Sequence, residues 1–330
     1  MRSFLVNWTR IILVVILVGM FGAVYAQNSV GNVLQLWNVR NNLSGSFQQS
    51  ADINLWVTNP ANISPWSADS TYAVGEIRKH TDGFAYYCEY AQVTSGTFST
   101  DNWTKMWEAA KGWDPIGDAT TPFQGIYDGG NKTVKNLYIN RKATTASGAY
   151  FSDGEDNNGL FGLVQPGQST DAEIKNLGII NPNVSGRRAT GSLVGKSLVP
   201  SGSRKKVFIT RCYAKPDEVG GTATVSGLGA TGGLVGANNS DRKQQVPVIQ
   251  YCWTNVIVSS THPTHVGINP DDRPNPYNIK YGGIVGCNET GVTFDSYAWG
   301  SVSGGDRVGG IAGCTIDGAI IRCYAIGNVT

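Results

Sequence analysis

The sequence predicts an all-β protein wound as a parallel β-helix, and three observations carry that prediction. A Gly–apolar–apolar–Gly pattern returns five times, and a second strand-like pattern alternates with it. Glycine accounts for 42 of 330 residues, close to double its usual ~7%, with no low-complexity run to explain it.

The first pattern is Gly159-Leu160-Phe161-Gly162, Gly191-Ser192-Leu193-Val194-Gly195, Gly232-Gly233-Leu234-Val235-Gly236, Gly282-Gly283-Ile284-Val285-Gly286 and Gly309-Gly310-Ile311-Ala312-Gly313. The second is Ile174-Lys175-Asn176-Leu177, Ile209-Thr210-Arg211-Cys212-Tyr213, Ile249-Gln250-Tyr251-Cys252-Trp253, Phe294-Asp295-Ser296-Tyr297 and Ile321-Arg322-Cys323-Tyr324. Thr133-Val134-Lys135-Asn136-Leu137 is an earlier copy. The final glycines, Gly162, Gly195, Gly236, Gly286 and Gly313, are spaced by 33, 41, 50 and 27 residues. Helical-hairpin repeats hold their length nearly constant, so uneven spacing points instead to stacked short strands whose turns accept insertions. Each piece is β-branched or aromatic and bounded by Gly, Asn or Asp. Beyond residue 120 no segment keeps a 3.6-residue apolar period.

Copies stacked at about 4.8 Å would close a continuous core and satisfy one another's backbone groups. The glycines beside Leu-Val are expected to turn the chain through positive φ, where they meet no steric cost. Aligned copies predict one column of Asn136, Asn176, Cys212, Cys252, Ser296 and Cys323, and a second containing Cys287 and Cys314. Two states stay open for these cysteines. Disulfides could join neighbours such as Cys287–Cys314 or Cys212–Cys252, or the thiols could stack reduced. The second is favoured because side chains pointing the same way rarely meet disulfide geometry.

Residues 1–26 read as a signal peptide: Arg2 and Arg10, an apolar core from Ile11 to Val18, and Val24-Tyr25-Ala26 before the cleavage point. The apolar stretch is short of the roughly 20 residues a spanning helix needs, so no membrane span is expected after cleavage. The remaining chain has 24 basic and 24 acidic residues. Arg204-Lys205-Lys206 is its densest basic run, which does not describe a nucleic-acid binder. Val33, Leu36, Trp37, Val39 and Leu43 predict an amphipathic helix of about ten residues. Such a helix would cover the otherwise open edge of the first coil.

The Gly-Gly-Leu-Val-Gly core, paired with Cys212-Tyr213-Ala214 and Cys323-Tyr324-Ala325, resembles the GLUG motif of bacterial surface proteins. Gly112-Trp113-Asp114-Pro115-Ile116-Gly117 with Phe123-Gln124-Gly125-Ile126-Tyr127-Asp128-Gly129 is similar to the coil that opens those repeats, and Phe47 to Leu55 to its first strand. The resemblance covers roughly residues 30–60 and 111–330. It implies a right-handed parallel β-helix, an adhesin-like binding role and no catalytic residues. About 55 residues part the two opening segments, and this insert resembles a chitin-binding type 3 carbohydrate-binding module. Pro65-Trp66, Tyr72 to Ile77, Gly83 to Cys88 and Trp103 carry that likeness, although Glu89-Tyr90-Ala91 stands where such modules often show paired tryptophans. For sugar stacking the likeness implies Trp66, Tyr87, Tyr90 and Trp107 as the platform, with Tyr72, Tyr86 and Trp103 as core. The expected organisation is 1–26 signal, 27–60 cap and first coil, 64–110 inserted module, and 111–330 repeats that stop mid-copy, as if a C-terminal part followed.

Chemistry elsewhere is sparse. Asp153, Glu155 and Asp156 form an acidic loop whose hard oxygens suit a structural calcium ion, and Asp271-Asp272 is a weaker candidate; no other cofactor is expected. His80, His262 and His265 fit no triad or zinc signature. Ser259 to Tyr281, with four prolines (263, 270, 274, 276) and Tyr277, is a projecting insertion where a recognition surface could sit. The expected function is a secreted or bacterial cell-surface binding protein, not an enzyme, with an extracellular glycan or a host or cell-surface protein as partner. Two alternatives are the recognition region of a larger surface peptidase and a β-helical polysaccharide-degrading enzyme.

Overall fold

The computed structural model describes residues 27–94, 96–142, 155–218, 221–241, 245–261, 279–305 and 307–330. The signal segment, Asp153, His262, His265, Asp271 and Asp272 lie outside the described residues, as does most of the proline-rich insertion. Within them the chain is all-β with parallel sheets, and its one α-helix is five residues long.

The repeats set the path. From Phe161–Val164 the chain runs through Ala172–Ile180, Asn183–Ser185 and Thr190, then returns as Val194–Val199, parallel to its starting strand. The next pass is Val207–Thr210, Tyr213–Lys215, Thr224–Gly227, Ala230–Gly232 and Val235–Ser240. Each strand pairs in parallel with its counterpart one pass earlier. Later passes do the same through Tyr324–Ala325. Inward positions repeat from pass to pass, because a one-residue slip would turn an apolar side chain out to water. Tyr127, Ile174, Ile209, Ile249 and Thr293 stand in one register and are buried. Val184, Val225, Val258 and Val302 make another buried file. Each fully buried aliphatic side chain contributes roughly 1.5–3 kcal/mol. Buried polar groups stack too: Ser197 Oγ donates to Asn238 Oδ1 at 2.6 Å, and Asn238 Nδ2 to Asn288 Oδ1 at 2.9 Å.

The repeat glycines act differently from the expectation. Gly162, Gly195, Gly236, Gly286 and Gly313 are not in the left-handed region. A Cβ on Gly195 would meet the backbone of Asn157, on Gly236 that of Ala189 and on Gly286 that of Thr231, each closer than 3.0 Å. Glycine is needed there because two stretches of backbone cross with no room for a methyl. Positive φ falls instead on residues such as the corners of the long sheet, Asn176, Arg211, Tyr251, Asp295 and Arg322 (φ 48–55°). Asn and Asp adopt this conformation more readily than other non-glycine residues, and Arg211, Tyr251 and Arg322 are held in it by the pairing on both sides.

The register also corrects the first predicted column. Leu177, not Asn176, aligns with Cys212, since Lys175 pairs with Thr210 and Gly178 with Tyr213. Asn136 belongs to a separate file after the second strand piece, where Asn181 Nδ2 donates to Asn136 Oδ1 at 3.3 Å. All six cysteines are free.

At the N-terminal side Asn28–Val30 pairs with Ser46–Gln49, which pairs in turn with Ile126–Lys135. The expected helix is shorter than ten residues: α1 (Val33–Trp37) runs directly into a 3-10 helix over Asn38–Asn41. Asn32 Oδ1 accepts from Gln35 N–H as N-cap and Gln35 Oε1 accepts from Gly31 N–H, a reciprocal cap. Between the opening segments, Ile77–Lys79, Phe84–Cys88 and Trp103–Glu108 form an antiparallel sheet, with Thr71–Tyr72 paired to Gln92–Val93 beside it.

Candidate binding site

The four aromatic residues expected to form a platform do not share a face. Trp107 is 1% exposed and is not a surface platform. Its ring packs against Trp37 of α1 and against Trp113, at centroid distances of 5.7 Å each. Strand Trp103–Glu108 points it toward the repeats, so it joins the antiparallel unit to them. Tyr87, on the same side, also packs against the main core. Trp66 lies on the other side with Phe98, at 5.4 Å, and its Nε1 is buried without a partner. Phe98, absent from the sequence reading, organises that cluster. It touches His80 at 4.1 Å, Tyr86 at 4.8 Å and Trp103 at 5.9 Å. Tyr90 is 63% exposed and stands apart from the cluster's rings. Tyr72, Tyr86 and Trp103 are buried.

The two described acids of the loop, Glu155 and Asp156, are paired with cations of the chain itself. Glu155 takes Lys111 Nζ at 2.8 Å and also Arg141 Nη1, while Arg141 Nη2 reaches Asp114 at 3.0 Å. Asp156 accepts from Arg187 Nε at 2.8 Å and Nη2 at 3.1 Å. Burial pushes Glu155 up, but the hydrogen bond from Lys111 and the charge of Arg141 outweigh it and hold its carboxyl below the ordinary value. These oxygens serve as ion-pair acceptors that tie Lys111 and Arg141 together. Among the described residues no group of three or more His, Cys, Asp or Glu is placed to hold a metal ion.

A groove that the sequence reading did not find lies where the first pass leaves the long sheet. Leu55 ends that sheet, and a 3-10 helix over Trp56–Thr58 turns the chain outward. The turn leaves Trp56 55% exposed, an uncommon state for a large apolar ring. Beside it, Asn59, Asn62, Asn136, Asn181 and Asn183, with Tyr138, Gly221 and Thr222, line a cavity of about 220 Å³. The amides are held by hydrogen bonds to neighbouring side chains and backbone. Asn136 Nδ2 donates to Asn54 Oδ1 at 2.9 Å, Asn62 Nδ2 to Trp56 O at 3.0 Å, and Asp217 N–H to Asn181 Oδ1 at 2.6 Å. Asn136 and Asn181 both sit at positive φ, a conformation Asn tolerates better than most residues. A flat apolar ring beside fixed amide donors and acceptors, with no charged side chain among the described lining residues, suits a neutral polyhydroxylated ligand. The available signal was an Asn just past the second strand piece of two successive passes, Asn136 and Asn181.

A second aromatic feature runs along the outer face of the long sheet. Tyr213 and Trp253 stack at 4.7 Å and 2°, Trp253 and Tyr297 at 6.0 Å and 7°, Tyr297 and Tyr324 at 5.2 Å and 11°. Within the stack the rings spend their faces on one another, and only Tyr324, at its end, keeps a face largely exposed. This ladder therefore reads as cross-strand stabilisation.

No known protein-family model matches the chain. A segment is 30% identical over 168 residues to part of Halomucin from Haloquadratum walsbyi. The match covers 49% of this chain and 2% of that protein, so the chain spans a small fraction of its length. Among solved structures, a candidate immunoglobulin A1 protease from Bacteroides ovatus aligns over 91% of this chain and 75% of its own, at 18% identity and a TM-score of 0.39. No helix among the described residues is long and apolar enough to cross a membrane.

Proposed function

We propose that the chain is a secreted or cell-surface binding protein, built as a right-handed parallel β-helix of GLUG-type repeats, that binds a neutral glycan in the groove beside Trp56. The exposed indole beside five asparagines carries this reading. A pyranose ring has an apolar C–H face that stacks on an aromatic ring, while its hydroxyls both donate and accept, as amides do. The acidic loop supports binding over depolymerisation, since Glu155 and Asp156 are held in ion pairs. Residues 64–110 are assigned as a separate inserted module whose tryptophans mainly build cores. The first 26 residues are assigned as the export signal that brings the chain to the surface.

The test is a glycan array followed by titration with the best neutral oligosaccharide, using the chain from residue 27. Trp56→Ala and Asn183→Ala are expected to weaken binding at least about tenfold, the worth of ~1.4 kcal/mol, with unchanged melting temperature. Trp66→Ala with Tyr90→Ala should leave affinity intact. Loss of binding only in the latter pair would move the site to the inserted module, and binding indifferent to both pairs would overturn the assignment.

A further inference from the structure

Of the cysteines at repeat positions, one pair differs from the others. Cys212, Cys252 and Cys323 each direct Sγ at the carbonyl two residues back in the chain: Thr210 O at 3.4 Å, Gln250 O at 3.2 Å and Ile321 O at 3.3 Å, and Cys212 and Cys252 also meet each other where both are fully buried. Cys287 and Cys314 instead point at each other across neighbouring passes, with Sγ atoms 3.8 Å apart. They are directly in register on paired parallel strands, Val285–Glu289 and Ala312–Ile316. Strands in one sheet lie about 4.8 Å apart, which falls inside the Cα separation that a disulfide spans. The buried Lys280 places Nζ 3.1 Å from Cys287 Sγ. Cys287 is buried and Cys314 half-buried, so a small reagent reaches Cys314 first.

We propose that Cys287 and Cys314 are a disulfide site, closed by exchange with a small aliphatic disulfide and joining two successive passes of the sheet. Cys314 gives its proton to solvent, and its thiolate attacks one sulfur of the reagent. That step expels one thiolate and forms a mixed disulfide. Cys287, whose thiolate the Lys280 ammonium stabilises, then attacks Cys314 Sγ and expels the second thiolate. The two cysteines lose two electrons and two protons, and the reagent is reduced to two thiols. Lys280 matters because burial pushes the Cys287 thiol up, to about 11, against the lowering by that ammonium. Without the ammonium, the resolving thiolate would be scarcer still.

The test treats the full chain with oxidised glutathione, blocks remaining thiols under denaturing conditions, and measures intact mass and the non-reduced peptide map. The expected product has lost two hydrogens and yields one cross-linked peptide holding Cys287 and Cys314, absent in Cys314→Ser. It should melt on the order of 5 °C above the reduced chain, since the bond closes a long loop. Lys280→Met is expected to reach the same product about tenfold more slowly. The proposal fails if both thiols are still alkylated after oxidation, if the linkage joins another pair such as Cys212–Cys252, or if Lys280→Met closes at the original rate.

Discussion

The rings of Trp37 and Trp107 meet edge to face, with centroids 5.7 Å apart and planes at 64°. Trp37 ends α1 and Trp107 lies in the last strand of the antiparallel unit, so this contact joins two parts of the chain that Trp113 then ties to the repeats. Trp107→Ala is expected to destabilise the protein by about 3–5 kcal/mol, as other buried aromatic truncations do. Trp66→Ala, at the half-buried cluster around Phe98, should cost less than half as much. Urea denaturation of the two variants checks the order. Equal costs would mean that the antiparallel unit gains no support from the helix.

How much of this was legible in the sequence can be judged residue by residue. The repeat was, because Ile174, Ile209 and Ile249 return to one buried file, where a strand-favouring β-branched or aromatic side chain faces the core. The reason for the glycines was not. Gly236 reads as a turn residue, whereas its need is a backbone crossing against Ala189 that only the folded passes create. Left-handed corners fell on Arg211 and Tyr251, which carry no signal for that conformation. The fates of Trp56 and Trp107 were likewise illegible. A tryptophan's burial depends on neighbours far away in sequence, here Trp37 and Trp113 for one and an outward 3-10 turn for the other. The asparagines around Trp56 were visible singly, but their convergence needed the register.

Acid should loosen the ion pairs around Glu155. Glu155 is held below its ordinary value of 4.5, against burial, by Lys111 and Arg141. The unfolded chain therefore takes up the proton at higher pH than the folded one. The stabilisation is complete above about pH 4.5 and is lost as pH falls through the folded value. Glu155→Gln should cost on the order of 1 kcal/mol at pH 7, kept small because Glu155 is partly exposed and water screens the pairs. As pH falls below about 4.5 the gap to the wild-type chain should narrow. A constant gap would show that the carboxylate charge contributes nothing.

The outer ladder makes a separate prediction about stability. Trp253 stacks on Tyr213 on one side and on Tyr297 on the other, and tilts against Trp299 at 5.6 Å. Trp253→Ala removes two stacked contacts and is expected to cost about 1–3 kcal/mol, with loss of near-ultraviolet dichroism from the ordered rings. Tyr324→Ala, at the exposed end of the stack, removes one such contact and should cost about half as much. If Trp253→Ala were neutral, the rings would be ordered by the sheet without supporting it.

The ladder also explains a glycine inside a strand, which ordinarily weakens it. Gly178 and Tyr213 are in-register partners, and the Tyr213 ring leans over Gly178. A Cβ at Gly178 would come closer than 3.0 Å to that ring, so Gly178→Ala must displace Tyr213 from its stack on Trp253. The expected cost is about 1–3 kcal/mol, the usual range for overpacking. Once the ring is gone the sign reverses. In a Tyr213→Ala background, Gly178→Ala should be neutral or stabilise by roughly 0.5–1 kcal/mol, because alanine restricts the unfolded strand more than glycine does. Urea denaturation of all four combinations gives the coupling energy directly. A pair of strictly additive costs would mean that Gly178 is needed for its own backbone and not for the ring above it.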